Sequence, residues 1–262
     1  MLGTTHLSTL STLDRGLAVL LFVATRERVT LQDVVEETGT SKPSAYRVLA
    51  TLQENAFVER LPKGGYRLGP AARIVSARAS ADSMWAVVNN SVEAIRDATG
   101  ETANFASLCG RKIIYTAIAE GRQALRMSPV VGEELPAHAT AIGKAILAAL
   151  ASTERRELIG TKRLRAITPS TVVDHAELEK VLTMAGVRGF ATEQGETELG
   201  SACIAVALLG VDGKPFAGLS IAGPRDRFTP ALEAPYAALL KKHAAKISAA
   251  RAELDGHLGV VA

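Results

Sequence analysis

The stretch from Thr30 to Leu68 constrains this chain more than any other, because it strings four local signals in an order that few folds share. Thr30 and Asp33 stand in the N-cap and N3 positions of a weak capping box, ahead of Leu31, Val34 and Val35 at helical spacing. Gly39 follows the last periodic residue, where a helix-ending glycine belongs. After a tight turn Ser41 can cap a second helix, and Pro43 falls in its first turn, where a missing N–H costs nothing. Ala45, Val48, Leu49 and Leu52 form the inward stripe of that helix. Ser44, Tyr46, Arg47, Ala50 and Thr51 form its outer face, with Lys42 at its start. Residues 57–60, a Lys63-Gly64-Gly65 turn and residues 66–68 predict a two-stranded hairpin. Upstream, Leu13, Leu17, Leu20, Leu21 and Ala24 predict a helix whose apolar face turns inward, capped by Ser11 or Thr12 with Asp14 in its first turn.

Short helix, tight turn, polar-faced helix and hairpin is the order of a winged helix-turn-helix. A recognition helix needs small polar, aromatic and basic groups near its N-terminus to reach base edges in the major groove. Ser41, Lys42, Ser44, Tyr46 and Arg47 are such groups. The helix starts marked by Thr30 and Pro43 offer N–H groups to phosphates, and Lys63 and Arg67 in the hairpin suit backbone contact. Each of these residues taken singly also reads as solvated surface. Charge does not decide the matter: the first 75 residues hold nine basic and seven acidic side chains, and the whole chain carries +3. The order of the elements does.

Beyond residue 100 the pattern changes. Residues 102–109, 112–119 and 123–127 read as strands, followed by helices at 141–151, 153–159 and 174–185. Strands return at 190–193, 202–211 and 216–222, and a long amphipathic helix at 230–254 closes the chain. Strands on both sides of a helical block predict an α+β domain with a mainly antiparallel sheet. Between the halves, 70–99 has helical spacing with a small, polar break at 76–83. The expected organisation is a disordered leader at 1–10, a DNA-binding domain at 11–69, a linker helix at 70–99 and a C-terminal domain at 100–262.

With 47% hydrophobic and 22% charged residues, the chain falls in the soluble globular class. No apolar run reaches the ~18–20 residues of a membrane helix, and the polar start is no signal peptide, so no membrane partner and a cytoplasmic location are expected. Two scattered cysteines, Cys109 and Cys203, suit a reducing compartment and indicate neither a zinc site nor a disulfide framework. No metal or cofactor is expected.

Three N-terminal pieces resemble the IclR family of bacterial transcription regulators: residues 13–20 (LDRGLAVL), 39–49 (GTSKPSAYRVL) and 65–69 (GYRLG). The resemblance continues through Gly100-Glu101-Thr102, 131–145, Arg188-Gly189-Phe190-Ala191, Glu198-Leu199-Gly200 and 220–224, so it covers nearly the whole chain. It implies a GAF-like C-terminal fold with a buried pocket for a small organic effector, often a carboxylate, and a homo-oligomer (dimer or tetramer) bound to a double-stranded DNA operator. Carried over by residue, it implies pocket roles for Met127, Ala141, Ile142, Glu193, Cys203, Ser220 and Ala222. Two positions depart from the family pattern: Ala222 replaces a second serine, and Ile142 is bulky where small residues are common. Both imply a different or less polar effector than a compact oxo-acid.

The residues by themselves leave other readings open. Cys203 between apolar neighbours reads as a buried structural cysteine, His138 as a hydrogen-bonded structural histidine, and Glu193, Glu196 and Glu198 as a solvated segment. A thiol–imidazole enzyme built on Cys203 and His138 lacks any local feature that would activate the thiol. A redox sensor at Cys109 or Cys203 lacks basic neighbours on the same strand. An architectural DNA binder leaves the large C-terminal domain unexplained.

Overall fold

The computed structural model describes residues 11–62, 64–72, 74–75 and 83–258. The leader at 1–10, Lys63 and most of the break at 76–83 lie outside the described residues. The chain divides into two compact units, Met1–Ala81 and Asp82–Ala262, each with its own core.

In the first unit, α1 (Ser11–Ala24), α2 (Leu31–Thr38) and α3 (Lys42–Glu54) precede a hairpin of β1 (Val58–Arg60) and β2 (Tyr66–Leu68). Thr30 caps α2 through a complete capping box: its hydroxyl accepts from the Asp33 N–H, and the Asp33 carboxylate accepts from the Thr30 N–H. Such a cap contributes ~1 kcal/mol. Gly39 ends the helix at φ 63°, in the left-handed region where a side chain is disfavoured, and this sets the turn into α3. Ser41 is the N-cap of α3 by backbone position, but its side chain makes no capping hydrogen bond. Val19, Val23, Val29, Val34, Ala45, Leu49, Val58 and Tyr66 form the core, and a bridge between Val29 and Tyr66 ties the start of α2 to the wing.

One expectation is reversed. The stripe Leu13, Leu17 and Leu21 on α1 faces outward, at 56%, 50% and 64% exposure; Ala24 is exposed too, and Leu20 lies only part-way in. α1 is apolar on two sides, and the β-branched pair Val19 and Val23 meets the core instead.

The second unit is α+β. Its six strands are β3 (Thr102–Cys109), β4 (Lys112–Ala119), β5 (Glu134–Pro136), β6 (Ala191–Gln194), β7 (Ser201–Leu209) and β8 (Pro215–Pro224). They lie in the order β5-β4-β3-β8-β7-β6, with every neighbouring pair antiparallel. No strand forms at 123–127; β4 pairs instead with β5. The 120–127 segment is held by side chains: the Thr102 hydroxyl donates to the Met127 carbonyl and accepts from the Gly121 N–H, and Arg126 pairs with Glu120.

Two layers of helix cover the sheet. α4 (Ser83–Thr99) and the closing α8 (Pro230–Leu258) pack on one face, over alternate residues such as Phe105, Leu219, Ile221, Ile204 and Val206. Thus the helical spacing at 70–99 resolves into helical residues at 70–72 and 74–75 and a separate α4 belonging to the second unit. On the other face lie α5 (Ala141–Ala149), α6 (Ser152–Ile159) and α7 (His175–Arg188), over Ala106, Ala205 and Ala191. A register shift between β3 and β4 after Phe105 reverses the side-chain parity of β4. Ile113 and Tyr115 therefore face the α5 layer, whereas Ala117 and Ala119 face α4 and α8.

Candidate functional sites

The first site is the start of α3. Ser41, Lys42, Pro43, Tyr46 and Arg47 are exposed together after the Gly39 turn, and Tyr46 keeps 55% exposure despite its aromatic ring. An exposed tyrosine beside a lysine and an arginine, on a helix whose other face is sealed by Ala45 and Leu49, is a surface for a charged partner. Ser44 is half-buried, so it stands at the edge of this surface. Thr30 is occupied by its capping box, which leaves its role at the α2 start to the backbone. In the wing, Arg67 is paired with Glu59, 2.5 Å away on the facing strand.

The second site is a cavity of about 170 Å³ in the C-terminal unit, between the sheet and the N-terminus of α5. Sheet register builds its floor. Thr102, Ala222, Cys203 and Glu193 lie in one row across β3, β8, β7 and β6, and Asn104 and Ser220 face each other in the next row. Ala141 and Ile142 close the cavity from α5, and Ile142 fits because its partner on β8, Gly218, has no side chain: a Cβ there would come within 2.7 Å of the Ile142 methyl. Met127, Ser128, Pro129 and Glu133 wall one side, Thr197 and Glu198 another, with Tyr115 and Leu135 on β4 and β5.

Six residues singled out by sequence, Met127, Ala141, Ile142, Glu193, Cys203 and Ala222, therefore line one cavity. Ser220 does not line it; it is fully buried behind Asn104, whose Nδ2 donates to the Ser220 hydroxyl at 3.2 Å. The Cys203 thiol points to the Ile204 carbonyl, 3.9 Å away. Burial pushes the Cys203 thiol and the Tyr115 phenol up, so both stay neutral. His138 sits elsewhere, its Nε2 3.0 Å from the Arg165 carbonyl, in a small recess with Leu147 and Leu164. Cys203 and His138 thus do not share a site. Cys109 is exposed at the end of β3.

The acidic segment divides. Glu198 is exposed as a solvated residue should be, but Glu193 and Glu196 are buried. Burial pushes Glu193 up to about 7, with the Glu196 N–H, donated to its carboxylate at 2.9 Å, pulling the other way. Glu196 forms a short ion pair with Lys144, which is 1% exposed, and also accepts from the Val172 N–H. The pair fastens the 193–198 segment to α5; Thr168 and Thr171 fasten its carbonyls. Sequence reasoning passed over Lys144, Asn104 and Tyr115. Lys144 carried a signal: a lone charge within the otherwise apolar helix AIGKAILAA must find a buried partner. Asn104 and Tyr115 carried none, since only register aims them at the cavity.

Among the described residues no group of three or more His, Cys, Asp or Glu is placed to hold a metal ion, and no helix is long and apolar enough to cross a membrane.

Comparison with known proteins completes the description. The family model for the IclR helix-turn-helix domain matches residues 12–62, and that for the bacterial transcriptional regulator IclR C-terminal domain matches residues 79–249. The transcriptional repressor IclR of Escherichia coli is 30% identical over 243 residues, which are 91% of this chain and 89% of that protein. The acetate operon repressor of Salmonella typhimurium is 32% identical over 222 residues, 83% of this chain and 81% of that one. A crystal structure of an IclR transcriptional regulator from Alicyclobacillus acidocaldarius matches with TM-score 0.80 at 26% identity, covering 92% of this chain and 98% of the other.

Lys144→Met should leave Glu196 buried without its cation and lower stability by about 3–5 kcal/mol in urea denaturation. Adding Glu196→Gln should restore most of that loss; a single variant as stable as the parent would mean the pair does not hold the segment.

Proposed function

The chain belongs to the IclR family of bacterial transcriptional regulators, and on that premise we propose that it reads its operator with α3 and answers to a small molecule held in the C-terminal cavity. The observation that carries the first half is the exposed cluster of Lys42, Tyr46 and Arg47 at the start of α3. Arg47 is the candidate for bidentate contact with a guanine edge; Ser41 and Tyr46 suit other base-edge or phosphate contacts. Lys42 and the α2 and α3 helix starts suit phosphates, and Arg67 can reach the backbone at the cost of its pair with Glu59. Lys63, outside the described residues, is proposed for the same duty in the wing.

The second half is supported by the cavity itself: concave, partly apolar, and lined by six of the seven residues that the family resemblance singled out. Ligand binding there changes operator affinity by no more than the difference in ligand affinity between the two protein arrangements. Transcription control by a regulator needs no chemistry at Cys203, in keeping with a thiol that burial holds neutral.

We propose further that a second copy of the chain covers Leu13, Leu17 and Leu21. Three leucines at i, i+4 and i+8 form a continuous apolar row, and a row on one helix is self-complementary about a two-fold axis. Two-fold pairing also presents two α3 helices to successive turns of the duplex.

Duplexes selected from a random pool by the parent protein provide the test. Arg47→Ala should weaken binding to the selected duplex by roughly 5- to 150-fold, a cost of about 1–3 kcal/mol, and relax selection at one position. Unchanged affinity removes Arg47 from the interface. Leu17→Asp should shift the protein toward smaller species in sedimentation velocity and weaken operator binding, while its far-ultraviolet circular dichroism stays that of the parent. An unaltered assembly state would show that the leucine row is not the pairing surface.

A further inference from the structure

We infer that an apolar notch between the starts of α2 and α3 seats the C5-methyl group of a thymine, next to the guanine assigned to Arg47. The inference deepens the proposed function and rests on its reading of α3 as the recognition helix. Leu31, Pro43 and Tyr46 form the notch, and Lys42 and Arg47 stand at its rim.

Local chemistry builds the notch. The capping box of Thr30 and Asp33 fixes Leu31 as the first helical residue of α2, and the Gly39 turn brings the first turn of α3 beside it. Leu31 packs part of its side chain against the core and leaves the rest in solvent. Pro43 is exposed in the first turn of α3, where its ring presents only carbon. Tyr46 adds a ring that is 55% exposed. Single apolar side chains on a surface need no partner, but three that border one depression make a patch.

The rim says what kind of partner covers it. Lys42 and Arg47 are exposed and, among the described residues, stand in no ion pair, whereas Arg67 in the wing is held by Glu59. An apolar seat between two cations that no carboxylate neutralises fits a partner that is anionic as a whole and apolar at one point. A DNA duplex is such a partner. Every other recognition group on the major-groove edges is a hydrogen-bond donor or acceptor; the thymine methyl is the apolar one. Pro43 and Arg47 are one helical turn apart, about 5.4 Å along the axis, against about 3.4 Å per base pair. The methyl seat and the Arg47 guanine therefore fall within about two base pairs of each other. Lys42, beside Pro43, is left for a flanking phosphate.

The test uses the full chain and the duplex it selects from a random pool, with each thymine replaced in turn by deoxyuridine. That replacement removes the methyl group and keeps every hydrogen-bonding group of the base. Affinities are measured by fluorescence anisotropy at fixed salt. One thymine, beside the base pair at which Arg47→Ala relaxes selection, should lose about fourfold in affinity on replacement, the worth of one buried methyl group. Tyr46→Ala should bind the thymine and deoxyuridine duplexes alike, with the circular dichroism of the parent. It removes no charge, so it should keep the parent's salt dependence, whereas Lys42→Ala should lower the salt slope by about one. Equal affinity for every deoxyuridine duplex, with Arg47→Ala still weakening binding, would overturn the methyl seat and leave α3 as the recognition helix. A methyl preference that persists in both Tyr46→Ala and Pro43→Ala would put its reader elsewhere and overturn the assignment to the notch. If Arg47→Ala also leaves affinity unchanged, α3 is not the reading helix, and the inference falls with that reading.

Discussion

The pairing of β3 with β8 is the constraint on which the C-terminal unit depends. It joins residues more than a hundred positions apart, with Asn104 opposite Ser220, and makes one sheet of a β3-β4-β5 half and a β6-β7-β8 half. Because side chains alternate at every residue, this single register decides which residues face α4 and α8 and which face α5. A slip of one residue would turn one strand over against the other, sending either Asn104 or Ser220 into the apolar layer and its neighbour Phe105 or Leu219 to the opposite face. Burial of Phe105, Leu219 and Ile221 against α4 and α8 opposes that slip. The same apolar layer that stabilises the sheet therefore turns the polar residues to the cavity side.

On the cavity side, polar residues are buried at a cost that specific partners offset. Lys144 has Glu196, Glu196 has the Val172 N–H, and Glu193 has the Glu196 N–H. Ion pairs of this kind add little net stability over an apolar core, but losing either partner is costly. Their effect here is positional: they fix the 193–198 segment beside α5 and hold Glu193 at the cavity. Among the described residues, the wall holds one buried side-chain acceptor without a hydrogen-bond partner, Asn104 Oδ1.

Where local chemistry decided an element, the sequence was enough. Thr30 with Asp33, Gly39 and the stripe Ala45–Leu49 defined the helix-turn-helix, and β-branched and aromatic residues on either side of the Gly110-Arg111 turn defined β3 and β4 with their observed ends. Where tertiary partners chose between two local options, it was not. α1 offers two apolar stripes, and only contact with Val34, Leu49 and Tyr66 selects Val19 and Val23 over Leu13, Leu17 and Leu21. Residues 123–127 have strand-like composition, yet side-chain bonds from Thr102 and Arg126 hold them without a ladder. Glu193, Glu196 and Glu198 look alike in sequence; the packing of α5 separates two buried carboxylates from one exposed. The cavity's residue types were legible through family resemblance, whereas Asn104 and Tyr115, which also line it, were aimed there by sheet register alone.

The central claim is that operator and effector sites are coupled, and linkage makes that claim measurable in both directions. Affinity for a selected duplex would be measured by fluorescence anisotropy with and without a ligand that saturates the cavity, and ligand affinity with and without the duplex. The account predicts equal factors in the two experiments, within the range of about 5- to 150-fold typical of allosteric coupling. A ligand that saturates the cavity and leaves duplex affinity unchanged would contradict it.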